Sequence, residues 1–153
     1  MKIVPSLSFN GQCREAFDFY ARVLGGRITA ANPYSDMPPG MDLREDQKDW
    51  LMHCWMDVGD QSIMGADMDV KWAPNIEKPK NGFDVTLHTD DVEEARRWHA
   101  ALSEGGRTTM PFGETFWSPG YGGLVDKFGI PWMVNTMPAE GWRPSPQAMG
   151  AGA

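Results

Sequence analysis

The sequence predicts an α+β chain in which a βαβββ module is used twice, its two sheets forming a half-open mixed β-barrel cup. Three observations predict it. Strand-like segments alternate with two amphipathic helical stretches, and each helical stretch is stopped by a Gly-Gly pair, Gly25-Gly26 and Gly105-Gly106. The same order of strings also recurs: Glu15-Ala16 followed by Gly25-Gly26-Arg27-Ile28-Thr29 matches Glu94-Ala95 followed by Gly105-Gly106-Arg107-Thr108-Thr109. The helical spacing of the two copies differs by one residue. Paired modules of this kind leave a concave face where a small molecule can sit.

The elements follow in order. Ile3 to Phe9 is short, apolar or hydroxyl-bearing, and reads as a strand ended by Asn10-Gly11, with Asn10 placed to cap the next helix. From Arg14 to Leu24, Ala16, Phe17, Tyr20, Val23 and Leu24 recur at intervals of three and four, opposite Arg14, Glu15, Asp18 and Arg22. Arg27 to Ala31 reads as a second strand. Asn32 to Asp49 has no period and contains Pro33, Pro38, Pro39 and Gly40, which reads as a lid or binding loop. Trp50 to Val58 and Asp60 to Ala66 read as a hairpin about Gly59-Asp60.

The second copy starts with a strand at Phe83 to His88. A helix over about Asp91 to Ser103 carries Val92, Ala95, Trp98, His99 and Leu102 on one stripe, with Asp90, Asp91, Glu93 and Glu94 at its positive end. Arg107 to Phe112, Phe116 to Val125 and Ile130 to Thr136 read as three strands. The expected organisation is one domain over 1–137, with module one at 1–67, a linker at 68–81 and module two at 82–137. A C-terminal tail without period follows at 138–153, expected to be held by a partner chain around Trp142.

Composition narrows the function. Fourteen Lys+Arg against twenty-one Asp+Glu leave a net charge of −7, and the longest basic clusters are Arg96-Arg97 and Lys78-Pro79-Lys80. Phosphate binding needs a basic stripe, so nucleic acid is excluded as a partner. No run approaches eighteen apolar residues, which excludes a membrane-spanning helix as an expectation. Met1 to Ser6 turns polar too soon for a secretory core. Two cysteines, Cys13 and Cys54, make no disulfide framework, and the expected location is the cytoplasm.

The strings Leu7-Ser8-Phe9-Asn10-Gly11-Gln12-Cys13-Arg14-Glu15-Ala16, Phe19-Tyr20-Ala21-Arg22-Val23-Leu24-Gly25 and Met52-His53-Cys54-Trp55 resemble the vicinal oxygen chelate (glyoxalase/bleomycin-resistance) superfamily. Glu114-Thr115-Phe116-Trp117 and the run from Val125 to Asn135 extend the resemblance to its PhnB-like branch, also labelled 3-demethylubiquinone-9 3-methyltransferase-like. The resemblance implies the fold just described and a homodimer, but it does not deliver a reaction.

Metal-dependent members place ligands on four strands, and carrying those positions over reaches Pro5, Met64, Asp84 and Met133. One oxygen donor among four does not suit a hard divalent ion, so no metal and no other cofactor is expected. Two methionines could suit a soft copper ion, but apolar lining is the reading taken. The methyltransferase label is set aside, because the first strand-to-helix turn carries one Gly and the second none.

His53 alternates with Leu51 and Trp55 and reads either as a general base or hydrogen-bond donor to a ligand, or as a buried structural histidine satisfied within the fold. Glu114, beside Phe116 and Trp117, reads either as its acid–base companion, with a pKa raised by the apolar rings, or as a solvated loop carboxylate at a strand start. Trp55, Met64, Asp84, Thr86, Trp117, Tyr121 and Met133 are the candidate ligand-binding residues, with Trp132 as a further aromatic wall. His99 reads as helix packing and His88 as a residue hydrogen bonded near the second helix cap. Cys13 sits in a first helical turn, where the dipole lowers a thiol pKa, but reads as a buried structural thiol. The first expectation is therefore binding of a small, partly apolar molecule. The alternatives are a lyase, isomerase or dioxygenase-like enzyme using His53 and Glu114 or an unrecognised metal, and a protein that sequesters cationic drugs.

Overall fold

A computed structural model describes residues 1–38 and 43–150. The chain divides into two units, Met1–Lys78 and Pro79–Ala153. The first contains β1 (Ser6–Phe9), α1 (Cys13–Leu24), β2 (Arg27–Pro33), β3 (Leu51–Val58) and β4 (Gln61–Asp67). The second contains β5 (Val85–Thr89), α2 (Val92–Ser103), β6 (Arg107–Gly113), β7 (Tyr121–Val125), β8 (Pro131–Thr136) and a short α3 (Pro146–Gly150).

Each unit is a four-stranded mixed sheet with its first strand parallel to its last. The orders are β1-β4-β3-β2 and β5-β8-β7-β6, and the remaining pairs are antiparallel. The sequence repeat is thus a repeat of topology, and the fold is the α+β pair of βαβββ modules that the sequence predicts.

Helix α1 packs on one face of its sheet, against β2, β3 and β4. Leu7, Phe9, Phe17, Tyr20, Cys54 and Met56 are buried there. The Phe17 ring lies edge-on to Phe9 at 6.3 Å and to Tyr20 at 5.9 Å. It fits because β4 offers a glycine: a Cβ on Gly65 would stand 2.4 Å from Phe17 Cε2. In the second unit Gly122 does the same for His99, whose Cδ2 would lie 2.6 Å from a Cβ there. His99 is 7% exposed, and its Nε2 lies 3.3 Å from the Met110 carbonyl.

The ends of the helices correct one expectation. Asn10 does not cap α1: its Nδ2 donates to Glu77 Oε1 at 3.0 Å, and the N-cap position, Gln12, makes no side-chain cap. The first amide of α1 is held from across the sheet instead, by Asp67 Oδ1, which accepts from Cys13 N at 3.0 Å. Asp67 Oδ2 accepts from Leu51 N at 2.8 Å, so one buried carboxylate joins α1, β3 and β4. Burial pushes its carboxyl up, against the pull of these amides and those of Gly11 and Gln12. In α2 the cap is local, with Asp91 Oδ1 accepting from Glu93 N and Glu94 N. Gly25, at φ +66°, closes α1, as its position in the Gly-Gly pair predicts.

Three loops differ from expectation. The Asn32–Asp49 segment is no plain lid. Tyr34 N donates to the Trp50 carbonyl and Ser35 N to the Lys48 carbonyl, which prolongs the β2–β3 pairing, and Tyr34 O–H donates to the Asp67 carbonyl. Arg44 Nη1 lies 2.6 Å from Asp69 Oδ2, on which Gln47 Nε2 also donates. Residues 39–42, at the middle of the expected lid, lie outside the described residues. The expected strand Phe116 to Val125 starts only at Tyr121. The backbone turns at Thr115–Ser118, where Thr115 N donates to the Ser118 carbonyl, and buried Ser118 Oγ stands 3.0 and 2.9 Å from the carbonyls of Gly120 and Thr136. In the tail, α3 forms from Pro146 to Gly150 and Ala148 is buried.

Both cysteines are free and fully buried. The Cys13 thiol is hydrogen bonded to the side chain of Cys54. That bond, followed by burial, pushes it far above its ordinary value and overrides the helix dipole expected to lower it.

Candidate functional site

Strand alternation decides which side chains leave the core. In the first unit the residues opposite α1 include Ser6, Met64, Trp55 and Ala30, joined in one row by the pairs Ser6↔Met64, Trp55↔Met64 and Ala30↔Trp55. His53 follows on the same face, paired with Asn32. The Trp55 ring is held by Asp57: Trp55 Nε1 donates to Asp57 Oδ1 at 2.8 Å, and Ser62 Oγ donates to the same oxygen at 2.5 Å. Hydrogen bonds from Ser62 first, then Trp55, keep the Asp57 carboxyl below its usual range. Lys2 completes this cluster, donating to Ser62 Oγ at 2.6 Å with its ammonium 5.5 Å from the Trp55 ring centre. The His53 ring stands 6.2 Å from that of Trp55 and makes no hydrogen bond with a described residue. This half-buried imidazole therefore has both ring nitrogens without a hydrogen bond among the described residues.

The second unit repeats the plan with different side chains. Its row is Thr86, Met133, Gly123 and Met110, through the pairs Thr86↔Met133, Gly123↔Met133 and Met110↔Gly123. Met64 and Met133 therefore occupy corresponding positions, as do His53 and Tyr121. Where the first unit places Trp55, the second has Gly123, and its aromatic surface comes from beside that gap. Tyr121 O–H donates to Met133 Sδ at 2.9 Å. Trp117 stands edge-on to Tyr121 at 5.3 Å, and Phe116 edge-on to Trp117 at 4.6 Å. Trp117 is 44% exposed and Phe116 55%. Beyond Tyr121, Asn135 Nδ2 lies 3.2 Å from His88 Nδ1, so His88 meets a strand neighbour rather than the α2 cap.

Of the residues singled out in the sequence, His53, Trp55 and Met64 thus share one face in the first unit. Thr86, Trp117, Tyr121 and Met133 gather in the second. Three others are placed differently. Asp84 is exposed and precedes β5 rather than lying within it. Glu114 is exposed on the turn after β6, and its Oε1 accepts from Ser145 N at 2.8 Å, a bond that fastens the tail to its own unit. Trp132 is no wall: it is 1% exposed on the core side and donates from Nε1 to Asp126 Oδ2 at 2.8 Å. Sequence reasoning passed over Asp57 and Asn135, although period-two spacing from Trp55 and Met133 marks both.

The positions carried over for a metal do not fit one. Pro5 has no side-chain donor, Met64 and Met133 offer only thioethers, and Met133 Sδ already accepts from Tyr121. Among the described residues, no three His, Cys, Asp or Glu side chains gather as a metal-holding group. Nor is any helix there long and apolar enough to cross a membrane.

A βαβββ module used twice is the build of one large superfamily. The chain belongs to the glyoxalase/bleomycin resistance protein/dioxygenase superfamily, whose family model matches residues 2–134. It is 31% identical over 141 residues to Protein YjdN of Escherichia coli K12, covering 90% of this chain and 96% of that protein. The crystal structure of PA1353 from Pseudomonas aeruginosa is similar at 39% identity and a TM-score of 0.80, over 90% of this chain and 98% of that one. A Bacillus cereus PhnB protein, provisionally named 3-demethylubiquinone-9 3-methyltransferase, shares the fold. Its TM-score is 0.66 at 22% identity, over 89% and 99% of the two chains.

Proposed function

We propose that the chain binds a small, partly apolar molecule on the sheet faces turned away from α1 and α2, without a resident divalent metal. One observation carries this reading. In a chain of net charge −7, the in-register positions from Thr86 across Met133 and Gly123 to Met110 hold no carboxylate, lysine or arginine. A solvated sheet face normally alternates toward charge, whereas a ligand surface is apolar with a few placed polar groups. The corresponding face of the first unit has Met64, a Trp55 ring fixed by Asp57, and His53, whose nitrogens make no hydrogen bond among the described residues. That imidazole also favours a second reading, in which His53 moves a proton on the bound molecule.

The test is a thermal-shift screen of the full chain against planar aromatic compounds, with and without EDTA. Binding raises the midpoint as ligand exceeds its Kd. The reading expects stabilisation that EDTA leaves unchanged. Stabilisation that requires an added divalent ion, or a flat screen, overturns it. Replacing His53 by Ala separates the two readings: an affinity change alone supports binding, and loss of turnover of a bound compound supports proton transfer.

The expected homodimer belongs to the same proposal. Sedimentation of the full chain should return twice the chain mass, and a single chain mass would overturn it.

A further inference from the structure

Among the described residues, two buried side-chain oxygens lack a hydrogen-bond partner, Asn135 Oδ1 and Thr136 Oγ1. They are consecutive on β8 and so face opposite ways. Thr136, 1% exposed, is turned into the core, where a Cβ on Gly120 would meet its Oγ1 at 3.0 Å. Asn135 is on the other face, with Met133, Tyr121 and Thr86.

We infer that Asn135 Oδ1 is the acceptor for an N–H or O–H group of a planar ligand seated against Trp117 and Tyr121. This rests on the reading above and names the chemistry of its second-unit face. The amide is oriented from its nitrogen end, where Nδ2 lies 3.2 Å from His88 Nδ1 and 3.7 Å from Met137 Sδ. That leaves the oxygen end without a donor. The nearest hydroxyl in register is Tyr121, directly opposite on β7, but it donates to the Met133 thioether. A thioether is a weak acceptor, so that hydroxyl is directed to Met133 and not to the amide oxygen.

An unpaired buried carbonyl carries its full desolvation penalty, and a native chain keeps such a group where something else completes it. The neighbours indicate what completes it here. Trp117 and Phe116, 44% and 55% exposed, offer ring surface within one aromatic cluster with Tyr121. The Met137 side chain against the amide is unbranched and 51% exposed, so an entering molecule can displace it at little cost. A flat ring placed there brings an edge donor toward the oxygen. A cation is not needed, and an anion is not favoured, because neither charged partner is present in the row.

The experiment compares two isosteres, indole, which carries an N–H donor, and benzofuran, which carries an ether oxygen in its place. Each is titrated into the full chain by calorimetry. Satisfying the acceptor should make indole bind about fivefold to a hundredfold more tightly. In Asn135→Leu and Asn135→Ser the preference should fall to within about twofold while both compounds still bind. Trp117→Ala should weaken both compounds alike. Circular dichroism confirms that each variant is folded, and the serine variant keeps the test open should leucine disturb the sheet. Equal binding of the two compounds by the unchanged chain overturns the role of Asn135 and leaves the aromatic face standing. Tighter binding of benzofuran overturns it as well. Failure of both compounds to bind overturns the aromatic face itself, and the inference with it.

Discussion

Asp67, the last residue of β4, holds the first amide of α1 through Cys13 N at 3.0 Å, across fifty-four positions of sequence. The helix therefore starts where the sheet tells it to start. Asp67→Asn can accept from only one of Cys13 N and Leu51 N, and turns its own N–H toward the other. The expected loss is about 1–3 kcal/mol, the cost of one buried unpaired donor, read as a fall in the urea midpoint at pH 7. An unchanged midpoint would show that the carboxylate does not bridge helix and sheet.

Gly65→Ala should destabilise the chain, because its Cβ would stand 2.4 Å from the Phe17 ring and 3.2 Å from the Leu7 carbonyl. Overpacking of this kind costs about 1–3 kcal/mol. Gly113→Ala is the control, since a Cβ there meets nothing within 4 Å. Thermal melts of the two variants should separate clearly, and equal melts would contradict the packing described for Phe17.

Asp69 gives the chain a defined acid response. Its carboxyl is held below the usual range by the Lys71 amide first, then by Arg44 and Gln47. A depressed carboxylate contributes stability above its unfolded value, about 3.9, and loses it as pH falls through the folded value. The stability gap between the unchanged chain and Asp69→Asn should therefore be constant from pH 7 to about 5 and shrink below 4. Asp67, pushed up by burial, has the opposite sign: its contribution is present below the unfolded value and is lost as pH rises through the folded one. A gap for Asp69→Asn that widens in acid would contradict this assignment.

Trp117→Ala should cost only about 1–2 kcal/mol, since the side chain is 44% exposed and its buried part packs edge-on to Tyr121 and Phe116. It should nevertheless weaken any aromatic compound found to bind. A large loss of stability would mean that the ring belongs to the core rather than to a ligand surface.

What the sequence disclosed follows the range of the interactions. The Gly-Gly stops and the three-and-four spacing are local, and both helices fall within one residue of their predicted starts, at Cys13 and Val92. Asp67 was not readable as a cap, because nothing in Gly11-Gln12-Cys13 indicates a carboxylate from β4. Phe116 and Trp117 look like strand residues by composition, but Ser118 turns the chain by binding the carbonyls of Gly120 and Thr136. Trp132 misled for a simpler reason. Aromatic character marked it as a wall, whereas alternation places it with Val134 in the core and Met133 with Asn135 outside.

The parallel pairing of β1 with β4 also sets an order of events during synthesis. The first strand emerges early, and among the described residues its one sheet neighbour is the last strand of its own unit. Until residue 67 leaves the ribosome, Leu7 and Phe9 have nothing to hydrogen bond beside them, and the start of α1 lacks its carboxylate. Non-local closure of this kind is slow and leaves apolar edges exposed in the meantime. A nascent chain released just short of β4 should be a client for chaperones.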